Sequence, residues 1–226
     1  SNVCWLKGSM RFALLALLGV TRGLRVAAVL GASRGIGKGV ASALAAEGAA
    51  DIVYLLGRSS DCLDATATAV AATGATARPY CVDLADDAAI ARAAADIEAE
   101  AGRLDLLVYS AYSPPAGRLR GNFWEQEPGM WDACNGIGLR STYLACAAFA
   151  PLLIRSAGAA PPLVALVSSF GGRSFTFNVA YGVGKAAVDR LAADMAVQLK
   201  PFGVAATSIY PGVVRTERNV DLDERG

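Results

Sequence analysis

The chain contains no histidine among its 226 residues. That absence excludes Ser-His-Asp and Cys-His nucleophile systems, histidine-containing zinc sites and imidazole acid/base catalysis. Proton chemistry must come from tyrosine, lysine, cysteine or a carboxylate. Charge is scarce too: Asp, Glu, Lys and Arg make up 18%, against about a quarter in an average soluble domain. With 21 Lys+Arg against 20 Asp+Glu the net charge is +1, which argues against nucleic acid as the main partner, because phosphate binding needs a basic surface. Low charge beside 54% hydrophobic residues excludes intrinsic disorder. The five cysteines (Cys4, Cys62, Cys81, Cys134 and Cys146) form no Cys-x-x-Cys pair. They read as buried thiols in an intracellular, reducing compartment, not as a disulfide frame, and no metal site is expected.

A membrane-spanning run is missing as well. Phe12 to Val20 is nine apolar residues flanked by Arg11, Arg22 and Arg25, far short of the ~20 needed to cross a bilayer. Three readings fit a basic flank around a short apolar stretch. It is a helix covering an apolar face or packing on a partner protein, an interfacial membrane contact through 12–20 that makes the protein organelle-bound or membrane-peripheral, or the remnant of a signal or transit segment. Residues 1–23 are therefore set apart as an apolar extension, and 24–226 as one domain.

What is present from Leu24 onward is alternation. Short apolar runs at Val26–Leu30, Ile52–Leu56, Ala77–Val82, Leu104–Tyr109, Leu163–Val167 and Val204–Tyr210 predict strands. Between them, 36–48, 60–73, 86–101, 129–157 and 181–200 predict helices. Strands separated by a dozen or more residues need crossover connections, hence a parallel sheet. Nearly unbroken apolar strands imply cover on both faces. Asp61, Asp86 and Asp87 sit where helix first turns favour acid, and Gly102 falls just past a helix end. The expected fold is α/β: a doubly wound parallel sheet of the Rossmann type, with helices on both faces.

Four clusters carry chemistry. The first strand runs into Gly31-Ala-Ser33-Arg34-Gly35-Ile36-Gly37 and then a helix. Glycines there allow a tight turn and close backbone approach, and the helix start offers free N–H groups and a positive dipole end to a pyrophosphate. Tyr181 and Lys185 stand four apart in one helix, hence on one face. A cation beside a phenol favours the phenolate and lowers its pKa from ~10, which makes this pair the candidate acid/base of a histidine-free protein; the plain alternative is a surface pair. Ser168 and Ser169 end the fifth apolar run, at the carboxyl edge where parallel sheets bind ligands; the alternative is a capping role. Asn135 lies in a helical segment, and alone it would read as solvated.

Together these residues resemble the short-chain dehydrogenase/reductase superfamily over about residues 24–216, with the glycine turn, Asp83, Asn135, the serine, Tyr181-x-x-x-Lys185 and Pro211-Gly212-Val-Val-Arg-Thr216 as the matching pieces. Phe123-Trp-Glu-x-x-Pro-x-Met-Trp-Asp132, Gly138-Leu-Arg140 and Phe177-Asn-Val-Ala-Tyr-Gly-Val-Gly-Lys-Ala-Ala187 are similar to the branch called dehydrogenase/reductase family member 1. The resemblance implies NAD(P)-dependent interconversion of a carbonyl and an alcohol. Tyr181 would be the general acid/base, and Lys185 would hold the ribose hydroxyls and depress the tyrosine pKa. The serine would bind the carbonyl, and Asn135 would position a water. Counting back thirteen from Tyr181 reaches Ser168, whereas the strand end and the Ser169-x-x-Gly172 step select Ser169; Ser169 is the expected catalytic serine. The cofactor-binding set is Gly31, Ser33, Arg34, Gly35, Ile36, Gly37, Arg58, Asp83, Tyr181, Lys185, Pro211, Gly212 and Thr216.

Leu56-Gly57-Arg58 ends the second strand without an acid. Arg34 and Arg58, with Ser33 and Ser59, suit an adenosine 2′-phosphate, so NADP(H) is expected in preference to NAD(H). Apolar surface on 129–157 and 181–200 predicts a homo-oligomer. Two departures stand out. Tyr109-Ser-Ala-Tyr112 replaces the family's Asn-Asn-Ala-Gly, and the sequence stops at Gly226 where relatives continue through substrate-covering helices. They keep an alternative open: a non-catalytic subunit of this fold within a larger, membrane-associated or soluble assembly, still holding a dinucleotide.

Overall fold

Every side chain of β1, Val26–Leu30, is buried, because this strand lies in the middle of a sheet with helices on both faces. The computed structural model describes residues 24–113, 121–158 and 160–217. The extension 1–23, with Cys4 and the apolar run at 12–20, lies outside them.

In chain order the elements are β1, α1 (Gly35–Ala46), β2 (Ile52–Gly57), α2 (Ser60–Ala71), β3 (Thr76–Cys81), α3 (Asp87–Ala101), β4 (Leu106–Tyr109), α4 (Gly129–Asn135), α5 (Ser141–Arg155), β5 (Leu163–Val167), α6 (Val179–Leu199) and β6 (Ala205–Ile209). The strands form one six-stranded sheet in the order β3-β2-β1-β4-β5-β6, and every pairing is parallel. This is the doubly wound order in which the chain reverses direction beside β1, leaving a crevice at the carboxyl ends of β1 and β4. One face packs Val40, Leu44, Leu63 and Val70 of α1 and α2 against the sheet. The other packs Ile90 and Ile97 of α3, Phe149 and Leu153 of α5, and Val188 and Ala192 of α6.

Local signals behave as their chemistry requires. The Asp86 side chain caps α3 by accepting from Ala89 N–H at 3.1 Å, and Gly102 closes that helix at φ 65°, a left-handed position that favours glycine.

Three expectations need correction. Cover on both faces holds for β1, β2, β4 and β5 but not β3, where Thr76, Arg78, Pro79 and Cys81 are exposed. β3 is an edge strand, and the proline, which has no N–H to give a further neighbour, suits an edge. Nor are all the thiols buried: Cys81 ends this edge strand and Cys62 lies on an exposed part of α2, while Cys134 and Cys146 are interior. The segment 129–157 is also not one regular helix. A π-helical turn, Gly136–Arg140, separates α4 from α5 directly after Asn135. Gly136 and Gly138 weaken regular helix there. The carbonyls are taken up by side chains: Tyr109 Oη donates to Ile137 O at 2.8 Å, Ser141 Oγ to Gly136 O at 3.1 Å and Thr142 Oγ1 to Gly138 O at 3.0 Å. Such turns cluster at functional sites.

Candidate active site

The glycine turn links β1 to α1 along the crevice. Gly31 has φ 87°, and a Cβ on it would stand 2.6 Å from Ala111 N, so only glycine lets the turn approach the chain leaving β4. A Cβ on Gly37 would collide with Gly31 O, and one on Gly57 with Ser33 Oγ; Ser33 thus lies against the end of β2. Arg34 is exposed in extended conformation just before α1. Ile36 packs partly buried on the core. Arg58 is exposed beyond β2. Asp83 is exposed after β3, and its carboxylate accepts from Ala85 N–H at 3.0 Å within its own turn. Past β6, Pro211 is buried, Gly212 turns the chain at φ 70°, and Thr216 Cγ2 lies 3.3 Å from where a Gly35 Cβ would stand.

One contact at this turn was not foreseen. Gly35 N–H, the first donor of α1, gives its hydrogen bond to Glu217 Oε2 at 2.8 Å, and Lys38 Nζ is 4.0 Å from the same carboxylate. Hydrogen bonds from Glu217's own N–H and from Gly35, with the Lys38 and Arg34 cations, hold this carboxyl below the usual range. An anion is thus already seated where a helix start offers free N–H groups. The tight backbone turn at Gly31 and Gly37 and this stand-in carboxylate on the helix start both fit the diphosphate of a dinucleotide.

The second group gathers at the carboxyl end of β5. Ser168 is buried and donates to Lys185 O at 3.2 Å, tying strand to helix. Ser169 is only partly buried; its Oγ accepts from Gly171 N–H at 3.1 Å, and both it and the Tyr181 ring lie against Gly171, with the serine favouring the ionised phenol. The structure therefore brings Ser169, not Ser168, to the phenol. Asn178 starts α6 by accepting from Tyr181 N–H at 2.8 Å. One turn on, Lys185 is 9% exposed, and its ammonium donates to Val167 O at 3.0 Å. Asn135 is buried, not solvated: its Nδ2 donates to Trp131 O at 3.1 Å and Ala180 O at 3.3 Å, while Oδ1 is buried with no protein partner among the described residues.

The electrostatics depart from the expected simple pair. Burial raises the Tyr181 pKa, and the Ser169 hydrogen bond offsets that only in part. Burial likewise pulls Lys185 down to about 8, with Asp189 opposing. The Lys185 ammonium is directed onto the Val167 carbonyl and lies 5.9 Å from the Tyr181 ring centroid.

Several supporting residues escaped the sequence reading. A Cβ on Gly171 would sit 2.7 Å from Tyr181 Cε1, one on Gly172 would sit 2.8 Å from Ala186 N, and one on Gly184 would overlap Asn135 Oδ1. The signal was available in Ser169-Phe-Gly-Gly and Tyr181-Gly-Val-Gly-Lys185, where glycine interrupts a helix or its approach without an evident turn. Tyr109, a departure from the family pattern, holds the π turn that follows Asn135.

A doubly wound sheet with an anion-receiving glycine turn and a Ser, Tyr, Lys and Asn group on one edge sets a phosphate-type cradle beside side chains able to move a proton. Comparison with known proteins agrees. The short chain dehydrogenase family profile matches residues 25–225. Over 197 residues the chain is 42% identical to mouse (Mus musculus) dehydrogenase/reductase SDR family member 1, covering 85% of this chain and 61% of that protein. The chain spans about three fifths of the length of that curated relative. A short-chain type dehydrogenase/reductase from Mycobacterium ulcerans superposes with TM-score 0.80 at 28% identity, over 88% of this chain and 71% of that one. A metagenomic short-chain oxidoreductase in complex with NADP superposes with TM-score 0.74 at 31% identity, over 84% and 82%. The chain belongs to the short-chain dehydrogenase family of NAD(P)-binding oxidoreductases, and within it to a branch like family member 1.

Proposed function

We propose that this protein is an NADP(H)-dependent oxidoreductase that interconverts a carbonyl and a secondary alcohol, with Tyr181 as general acid/base. The observation that carries the reading is the convergence of Ser169, Tyr181 and Lys185 at the carboxyl end of β5 in a chain without histidine. The dinucleotide, when bound, supplies or accepts hydride at the carbonyl carbon. Tyr181 Oη gives its proton to the carbonyl oxygen, or takes it back in the reverse direction. Ser169 Oγ donates a second hydrogen bond to that oxygen, where negative charge develops. Lys185 reaches the ribose hydroxyls from its buried seat, and Asn135 Oδ1 accepts from a water leading toward solvent.

The preference for NADP(H) rests on Arg34 and Arg58, both exposed beside the glycine turn and the end of β2. An acid in that place would select the 2′-hydroxyl of NAD. Exposed Trp131 on α4, Tyr143 on α5, and Val183 and Val197 on α6 support a homo-oligomer, which light scattering at micromolar concentration would find monomeric if this is wrong.

The test of activity is the absorbance of reduced nicotinamide against a panel of ketones and aldehydes with each dinucleotide. Oxidation dependent on Tyr181 and faster with NADPH is expected; none with any substrate would refute catalysis by this chain. One observation favours a second reading. Glu217 holds the first N–H of α1, a structural use of the turn that suits a non-catalytic subunit; NADP(H) binding that displaces Glu217 without turnover of any substrate would select it.

A further inference from the structure

We infer that Tyr112 and Phe177 are positioning residues for the proton-transfer pair: both rings set the place of Tyr181, and Tyr112 also carries Lys185. This rests on the acid/base reading of Tyr181 given above.

The Tyr181 ring meets two aromatic rings, each nearly perpendicular to it. Tyr112 lies at 5.8 Å between centroids and 81°, and Phe177 at 5.3 Å and 79°. Edge-to-face pairs at such separations are attractive and orientation-dependent. The Lys185 ammonium is 5.5 Å from the Tyr112 ring centroid and 5.9 Å from that of Tyr181, within the range at which a ring face attracts a cation, and more strongly when water is excluded. Among the described residues no carboxylate is within ion-pair distance of Lys185, since its one short polar contact is Val167 O. The ring of Tyr112 therefore supplies much of what holds a buried cation beside the phenol. Its seat is built for it: a Cβ on Gly138 would stand 3.2 Å from Tyr112 Cδ2. That explains the glycine of Gly138-Leu-Arg140, which the dinucleotide site does not otherwise use.

Phe177 is held against its own backbone preference. Its φ is 66°, a region that bulky side chains avoid. Asn178 N–H donates to Thr176 O at 3.0 Å, closing a tight three-residue turn around it. The side chain is 49% exposed, so core packing does not account for it. Glycine would satisfy the backbone at no steric cost. A phenylalanine there is explained by its ring contact with Tyr181, since such strain persists where function over-determines the conformation.

The two residues differ in reach, and that difference gives the test. In the full chain, Tyr112→Phe, Tyr112→Leu and Phe177→Gly are compared with the parent in kcat, in KM for the best ketone of the panel, in NADP(H) Kd by fluorescence, and in Tm. Tyr112→Leu should lower kcat about tenfold or more and weaken NADP(H), because the lysine loses its ring. Tyr112→Phe, which keeps the ring, should restore both to within about threefold of the parent. Phe177→Gly should lower kcat by about three- to tenfold with Kd unchanged, while Tm stays equal or rises as the strained φ is relieved. Gly138→Ala, which nudges the Tyr112 ring, should follow Tyr112→Leu in milder form and serves if that variant does not fold. The inference is overturned if Tyr112→Leu matches the parent, if Tyr112→Phe is as damaged as Tyr112→Leu, or if Phe177→Gly changes KM alone. Should Tyr181→Phe prove fully active, the acid/base reading fails while the Kd contrast between Tyr112→Leu and Phe177→Gly still decides the place of Lys185.

Discussion

At the glycine turn, the groups that face the crevice are mostly backbone. Gly31 and Gly37 are pressed against neighbouring main-chain atoms, Gly35 offers its N–H, and the nearby Arg34 and Arg58 stand in solvent. At the end of β5 the working groups are side chains. Asn135 and Lys185 are buried and tied to backbone carbonyls, and Tyr181 is fitted over Gly171 between hydrogen bonds and rings. A phosphate cradle needs only N–H groups aimed along a helix start and room for the ligand to approach. A proton-transfer site needs particular atoms at particular places, so it draws neighbouring residues into holding them. Tyr109, Tyr112, Gly171, Gly184 and the π turn all serve that end.

If the two regions are separable in this way, Tyr181→Phe should cut turnover by about 10²–10⁴-fold and leave NADP(H) affinity within a few-fold. Steady-state rates and a binding titration on the same preparation check it. A matching collapse of affinity would show that the phenol is part of the cradle, and the comparison would fail.

The burial of Lys185 makes the second region costly, and pH exposes the cost. Its pKa falls to about 8 from 10.5 in the folded protein. Below pH 8 folded and unfolded chains both carry the proton, and the penalty of the buried charge is full. Between pH 8 and 10.5 the unfolded chain holds the proton more often, so stability gains as pH rises through that window. Tyr181, with its pKa raised by burial, acts oppositely: its contribution is present below the ordinary tyrosine value and lost above it. Lys185→Met isolates the lysine. Urea unfolding should show the variant's stability advantage shrinking by about 2–3 kcal/mol from pH 7.5 to 10. An advantage independent of pH would mean the ammonium is not desolvated.

What was legible in the sequence follows the same division. The order of elements came through because strands and helices differ in period and length, and β1 and β5 match the apolar runs Val26–Leu30 and Leu163–Val167 residue for residue. The glycine turn was legible because backbone chemistry demands glycine at fixed spacing. The exposure of β3 was not, since Thr76–Cys81 contains enough apolar residues to read as interior, and only its place at the sheet edge decides. The supporting residues of the second region were hidden for a related reason. Gly184 matters because Asn135, 49 positions earlier in the chain, lies against it, and Tyr112 matters because α6 brings Tyr181 and Lys185 to its ring. Contacts between segments far apart in the chain leave no local pattern.

The cradle's own selectivity is the next effect in size. Removing either cation, Arg34→Ala or Arg58→Ala, should weaken NADP(H) by about tenfold, the scale of one charge-assisted hydrogen bond. NAD(H), which lacks the 2′-phosphate, should change little. Titration of each variant with both dinucleotides checks it, and an equal loss for the two cofactors would place the arginines on the diphosphate instead.

The smallest effect belongs to the contact that crosses from the end of the chain to the cradle. Glu217 must leave Gly35 N–H before a phosphate oxygen can take that donor. The carboxylate is 56% exposed, so water screens it and the contact is weak. Glu217→Gln removes the charge that competes with the diphosphate at the positive end of α1 and frees Lys38 from its partner at 4.0 Å. Charges at a helix start are worth about 0.3–1 kcal/mol when exposed, so dinucleotide affinity should rise about two- to fivefold at neutral pH. In the parent, acidification should produce the same gain as the carboxyl protonates, and because its pKa is held low the gain should begin only below the usual glutamate range. Inorganic pyrophosphate provides the cleanest probe, since it carries the charge without ribose or nicotinamide. If the variant binds pyrophosphate no better than the parent, Glu217 rests on the helix start without competing for it, and the cradle is ready for its ligand as it stands.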